Sequence, residues 1–111
     1  VVADPGDPDR VVVSAARSAR TAHFPGTAQS YVYRRDGRDA AWQRVESDRF
    51  PTGEGVLRAV LATTEEAGVV YAANNHGLFR SPDAGTSWEV LDLPWPDRYE
   101  SQTCRGLAVL A

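Results

Sequence analysis

The sequence contains neither lysine nor methionine, and its only cysteine is Cys104. A lone cysteine excludes a disulfide within the chain, and we expect this small side chain to lie in a buried strand rather than to act as a reactive thiol. Because the chain does not begin with methionine, we expect it to be a segment of a longer protein. Any targeting signal would then lie upstream, so the sequence leaves the localisation open.

An excess of charge of one sign is also missing. The twelve cationic residues are all arginines, and the formal net charge is −3. Acidic and basic residues are interspersed, without the basic patch that nucleic-acid-binding proteins and polybasic membrane anchors carry. Apolar runs stay far below the roughly 20 residues needed to cross a bilayer. The sequence therefore predicts neither a nucleic-acid partner nor membrane association.

The apolar residues that are present occur in short bursts, separated by proline, glycine, aspartate or asparagine. Bursts of four to seven residues rich in valine, leucine, tyrosine and tryptophan predict β-strands. No segment sustains a helical period, and the alanine-rich stretch 15–22 is short and shows no cap. The sequence therefore predicts an all-β fold with strands at 10–15, 30–34, 42–45, 56–62, 68–73, 77–81, 88–93 and 106–111.

Two pairs of segments repeat along the chain. Residues 32–42 align with 78–88 without a gap at a shift of 46 residues, which places Trp42 on Trp88. Residues 56–62 align with 105–111 at a shift of 49. A period in the forties that carries four short strands is typical of a β-propeller blade, a four-stranded antiparallel sheet.

The period divides the chain into parts of a single propeller domain. Residues 56–93 form one complete blade, residues 1–46 most of another, and residues 105–111 the first strand of a third. Propellers need about four to eight blades to close a ring. The missing partners are therefore either the remaining blades of the same chain or further copies of it.

The stretch from Ser81 to Trp88 lies between the last two strands of the complete blade. Asp83 can accept hydrogen bonds from the backbone amides that follow it, and Gly85 can adopt a positive φ. Ser81 and Thr86 are small enough to bond across the same turn, and Trp88 provides a large apolar side chain for the core. The residue types predict a tight structural turn.

This pattern, Ser-x-Asp-x-Gly-x-Ser-Trp, resembles the Asp-box of the bacterial neuraminidase repeat, with Ser87 at a position where threonine is commoner. The resemblance implies a β-propeller, in which the box is a structural turn at the periphery. Such boxes occur in sialidases, xyloglucan-cleaving glycosidases, sortilin-type receptors and photosystem assembly factors, so the motif does not define an activity. A calcium site is the alternative for Asp83, but one carboxylate is too few for the ligand shell of this ion.

A ligand of a propeller usually binds where the loops between the second and third strands and those between blades meet. In this chain those loops are 14–30, 46–55, 74–77 and 94–104. Arginines there suit carboxylates or phosphates, and aromatic rings could stack on a sugar or a peptide. The alternative is a set of solvated loops with local ion pairs. The candidate ligand-face residues are Arg17, Arg20, His23, His76, Trp95, Arg98 and Tyr99.

The sequence assigns no catalytic residue, no metal site and no cofactor. His23 and His76 are isolated from each other and from Cys104, so zinc binding is not expected. We expect a non-catalytic platform that recognises a carbohydrate or a protein. The alternative is part of a glycoside hydrolase, which needs two facing carboxylates. No pair stands out among the candidates Asp48, Glu54, Asp97 and Glu100.

Overall fold

The computed structural model describes residues 1–96 and Tyr99, and these residues form two antiparallel sheets, so the predicted all-β class is confirmed. Sheet 1 contains β1 (Val2–Asp4), β2 (Asp7–Ala16), β3 (Gln29–Arg35) and β4 (Gln43–Arg44) in that order, and β5 (Gly53–Glu54) pairs with the other end of β3. Sheet 2 contains β6 (Val60–Thr63), β7 (Val70–Asn74), β8 (Gly77–Ser81) and β9 (Glu89–Val90), also in chain order. The strand predicted at 106–111 and Cys104 lie outside the described residues.

A short helix, α1 (Ala19–His23), lies between β2 and β3 and is followed by a 3-10 turn at Pro25–Thr27. The prediction that 15–22 contains no capped helix is therefore wrong. The Oγ of Ser18 accepts a hydrogen bond from the backbone N–H of Thr21, and the Oγ1 of Thr21 accepts one from the N–H of Ser18. This reciprocal pair is a capping box in which threonine replaces the usual Glu or Gln, and it satisfies two amides that a helix start leaves unpaired.

The two sheets repeat the same cross-strand register. Arg34 pairs with Gln43 between β3 and β4, and Arg80 pairs with Glu89 between β8 and β9. Each arginine also donates a side-chain hydrogen bond to its partner, at 2.6 Å to the Oε1 of Gln43 and at 3.0 Å to the Oε1 of Glu89. The shift of 46 residues found in the sequence is thus a repeat of backbone pairing.

The core lies between the two sheets and is centred on Phe50, which comes from the segment between β4 and β5. The ring of Phe50 stacks on Phe79 with centroids 4.8 Å apart, and its edge meets Trp88 at 4.4 Å. Offset and edge-on contacts are the favoured geometries of buried aromatic rings. The other buried members of this cluster are Val12, Val32, Val45, Ala59, Val70 and Ala72.

The sheets stack head to tail. A residue of one sheet that lies in the shared core has its equivalent in the other sheet on the side that faces away from the core. Val32 of sheet 1 lies in the core, whereas its equivalent in sheet 2, Leu78, lies on the far side. Conversely, Phe79 lies in the core and its equivalent Tyr33 lies on the far side of sheet 1. Each sheet therefore has two chemically different faces, and one face of each is in contact.

We call the side of each sheet that faces away from the shared core its outer face. The strand pairing identifies the residues on it. The outer face of sheet 1 consists of Val11, Val13, Ala15, Tyr31, Tyr33 and Arg35. The outer face of sheet 2 consists of Val60, Ala62, Tyr71, Ala73, Leu78 and Arg80.

Candidate functional site

The turn from Ser81 to Trp88 is held by its own side chains. The Oγ of Ser81 accepts a hydrogen bond from the N–H of Gly85 at 2.8 Å and donates one to Asp83 Oδ1 at 2.9 Å. The carboxylate of Asp83 accepts two more bonds, from the N–H of Ser87 at 2.7 Å and from its hydroxyl at 2.6 Å. The described hydrogen bonds of this carboxylate thus all come from within the turn.

The backbone of the turn explains its glycine and its tryptophan. Gly85 has φ +91°, and Ala84 before it has φ +55°, so two successive residues adopt the left-handed conformation. The indole N–H of Trp88 donates to the carbonyl of Gly85 at 3.0 Å, which directs the ring into the core. Thr86 contributes its backbone N–H, which donates to the carbonyl of Asp83, and the hydroxyl that contacts the carboxylate belongs to Ser87.

Burial raises the pKa of Asp83, but the hydroxyl and N–H of Ser87 and the hydroxyl of Ser81 lower it by more. The net pKa lies below the ordinary value of an aspartate. The group is therefore ionised at neutral pH and fully engaged as an acceptor, which does not suit a general acid.

Asp4 is a second carboxylate that holds a turn, and unlike the half-buried Asp83 it is buried. The sequence analysis did not identify it. Its Oδ1 accepts the N–H of Gly6 at 2.8 Å and, from the other sheet, the N–H of Gly68 at 2.7 Å. Arg10 lies 3.5 Å from its Oδ2 and also donates to the carbonyl of Asp83 at 3.3 Å. Asp4 and Arg10 thus link the first turn of sheet 1 to two turns of sheet 2.

The pKa of Asp4 is also lowered. Its burial raises the value, and the amides of Gly68 and Gly6 together with the charge of Arg10 lower it by more. The sequence did contain a signal, because Asp two residues before Gly in "DPG" is typical of an Asx-type turn. The contact with Gly68 is long-range and has no local signature.

Three of the predicted ligand-face residues lie together at the loop end of sheet 2. The Nε2 of His76 lies 3.0 Å from the carbonyl oxygen of Gly55, a contact that requires this nitrogen to carry the proton. The indole N–H of Trp95 donates to the carbonyl of Asn75 at 2.9 Å. Tyr99 meets Trp95 edge-on with centroids 5.5 Å apart. Gly55, the segment 74–76, Trp95 and Tyr99 thus converge.

The cationic candidates lie apart from this aromatic group. Arg17 borders an open groove of 570 Å³ on the outer face of sheet 1, beside Tyr31 and Tyr33. Arg20 borders a shallower hollow of 330 Å³ with Phe24, and His23 is the last residue of α1. Arg98 lies outside the described residues. The described candidates therefore lie at three separate places. The helix α1 is joined to the loop before β6 by a backbone hydrogen bond from the N–H of Arg58 to the carbonyl of Ala22.

No group of three or more His, Cys, Asp or Glu side chains among residues 1–96 and Tyr99 could hold a metal ion. Asp48 and Glu54, the described carboxylates among the hydrolase candidates, are exposed, and Asp97 and Glu100 lie outside the described residues. Over the same described residues, no helix has the length and apolarity needed to cross a membrane.

Comparison with models of protein families, with curated proteins and with solved structures gave no match in any of the three searches. The structural features that bear on function are therefore the repeated strand register, the turn at Ser81–Trp88 and the convergence of loops around Trp95.

Proposed function

We propose that this chain is a segment of an Asp-box β-propeller, with sheet 1 and sheet 2 as successive blades. The observation that carries the proposal is the head-to-tail stacking, in which Tyr33 and Phe79 are equivalent in sequence but lie on opposite sides of the shared core. A two-fold sandwich would direct both rings into the core. Successive units that each present one face forward and one face backward are what a ring of blades requires.

The activity that we propose is recognition of a carbohydrate or a protein by a rigid, non-catalytic platform. The loop end of sheet 2 supports this, because Trp95, Tyr99 and His76 lie close together there on a base of backbone hydrogen bonds. An indole and a phenol in edge contact offer flat surfaces on which a sugar or a peptide ring can stack. The carboxylates of Asp4, which is buried, and of Asp83, which is half-buried, are occupied by turn donors and are not free for acid–base chemistry.

A binding experiment tests this function with a variant and a matched control. We expect titration of the chain with a sialylated trisaccharide or a xyloglucan oligosaccharide to give saturable shifts in its NMR spectrum. Trp95→Phe, which keeps an aromatic ring but loses the indole donor, should weaken binding, and Trp95→Ala should abolish it. Trp42→Ala, on a different surface, should leave it unchanged.

Two results would contradict the platform. The first is an affinity that is equal in wild type and in both Trp95 variants. The second is hydrolysis of a fluorogenic sialoside or of xyloglucan by the longer protein that contains this segment, which would favour the glycoside hydrolase instead.

A further inference from the structure

The outer face of sheet 1 carries aromatic residues whose equivalents in sheet 2 are buried. Phe79 is 3% exposed, and its equivalent Tyr33 is half-buried, with no sheet of the described residues packed over it. Trp88 is 4% exposed, and its equivalent Trp42 is 48% exposed. The same positions therefore form the core of one sheet and an uncovered surface on the other.

The space above this outer face is open where the equivalent space in the core is filled. On sheet 2, Phe50 stacks directly on Phe79. On sheet 1, the region beside Tyr31 and Tyr33 is the open groove of 570 Å³. The groove is large enough to accept side chains from another sheet.

Residues on the outer face of sheet 2 have equivalents in sheet 1 that are buried in the core. Val12 and Val32 of sheet 1 are both buried against sheet 2. Their equivalents by strand pairing and by the repeat are Tyr71 and Leu78, which are half-buried on the outer face of sheet 2. This face therefore corresponds to the one that already packs on a neighbouring sheet within the chain.

Charged side chains border the apolar part of both outer faces. The guanidinium carbons of Arg35 and Arg44 lie over the rings of Trp42 and Tyr31, at 5.0 and 4.7 Å from the centroids. Across the outer face of sheet 2, the side chain of Glu89 is 54% exposed while it pairs with Arg80. Arginines stacked on aromatic rings and facing a carboxylate are typical of protein interfaces.

We propose that the outer face of sheet 2 docks on the outer face of sheet 1 of a second copy of this chain, in the same head-to-tail sense as the internal contact. The inference rests on the proposed function, because it uses the equivalence of the two sheets. Such a contact is heterologous, because two different surfaces meet. In a pair, one copy keeps its outer face of sheet 1 free and the other keeps its outer face of sheet 2 free, so each end can accept a further copy. Assembly can therefore continue beyond a dimer.

Light scattering coupled to size-exclusion chromatography tests the docking with three variants. Leu78→Glu places an acid on the outer face of sheet 2, and Trp42→Glu places one beside the outer face of sheet 1. Phe24→Glu, at an exposed apolar residue that precedes the 3-10 turn and belongs to neither outer face, is the matched control. Circular dichroism melting establishes that each variant is folded.

We expect the wild type and Phe24→Glu to show a mass above one copy that rises with concentration up to about 0.1 mM. Leu78→Glu alone and Trp42→Glu alone should be monomeric. A mixture of the two should form a 1:1 dimer, because each variant keeps the one intact face that the other lacks. An isologous contact would give no such rescue.

Three outcomes would overturn the docking: a monomeric wild type at about 0.1 mM, an oligomer that neither variant disrupts, or folded variants that stay monomeric when mixed. Each of these leaves saturable carbohydrate binding at Trp95 unaffected, since that surface needs no second copy. Failure of the docking and failure of the proposed platform are therefore distinguishable.

Discussion

At the scale of single residues, two aspartates perform the same task at different turns. Asp4 and Asp83 each place a carboxylate where the chain reverses, and each receives two or more backbone or hydroxyl donors. A buried amide without a partner costs free energy, so the carboxylate stabilises a turn that secondary structure alone leaves unsatisfied.

Asp83→Ala should lower the free energy of unfolding by about 1–3 kcal/mol, the usual cost of leaving such donors unpaired. Urea denaturation measures this change. Asp92→Ala, an exposed aspartate in the same part of the chain, is the matched control and should change stability little. Equal denaturation midpoints for the two variants would contradict the structural role of Asp83.

The sequence predicted this turn better than it predicted its partners. Ser81, Asp83, Gly85 and Trp88 follow a local pattern in which each residue type has a local reason, so they could be identified from a few neighbouring residues. Asp4 could not, because its decisive contact is with Gly68, 64 residues away. Contacts between distant segments leave no periodicity in the sequence.

At the scale of secondary structure elements, the short apolar bursts located β2 to β4 and β6 to β9, but the ends of these strands differ from the predictions, and β5 was not predicted. β4 and β9 each contain two residues, shorter than the predicted 42–45 and 88–93, because ladder pairing stops where the chain leaves for the next sheet or loop. The helix α1 was missed because its cap uses Ser18 and Thr21 rather than an acidic partner. Short edge elements depend on tertiary contacts more than on propensity.

The two equivalent tryptophans give a matched prediction at this scale. Trp88→Ala removes a ring that packs against Phe50 in the core, and it should lower the free energy of unfolding by about 3–5 kcal/mol. Trp42→Ala removes a half-exposed ring at the same repeat position, and it should cost less than about 1 kcal/mol in dilute, monomeric protein. Thermal and urea denaturation of both variants measure the difference, and equal losses would contradict the burial contrast.

At the scale of the whole molecule, the repeat was visible in the sequence, but the way the sheets stack was not. The shift that aligns 32–42 on 78–88 is reproduced in the register of the paired strands, where Tyr33 and Arg34 correspond to Phe79 and Arg80. The inward faces meet through contacts between distant segments, such as Phe50 on Phe79 and the hydrogen bond that the N–H of Gly68 donates to Asp4. The sequence was limited in the same way for the candidate ligand-face residues. It assigned them to one end of the sheets, but the described ones lie at three separate places.

The stability of the whole molecule should depend on pH in the acid range. Asp4 and Asp83 have folded pKa values below the ordinary 3.8, so their ionised forms stabilise the fold above that pH. This contribution is lost as the pH falls through the lower folded values. We expect little change in the free energy of unfolding between about pH 7 and 5 and a decline below about pH 4.

Urea denaturation at a series of pH values measures the decline. Asp4→Asn keeps the shape and one acceptor oxygen but cannot ionise, so it should be less stable at neutral pH and should show a shallower loss in acid. Asp92→Asn should reproduce the wild-type profile. A profile of Asp4→Asn that runs parallel to that of the wild type would show that this carboxylate does not couple protonation to folding.

Directional stacking has a genetic consequence. When the front of one unit fits the back of the next, tandem duplication of the DNA that encodes a single unit lengthens the array without requiring a new kind of contact. Unequal crossing-over can then add or delete units while every junction keeps the chemistry of Val32 against Phe79. The turn that closes each unit is free to diverge, as the difference between 34–42 and 80–88 already shows.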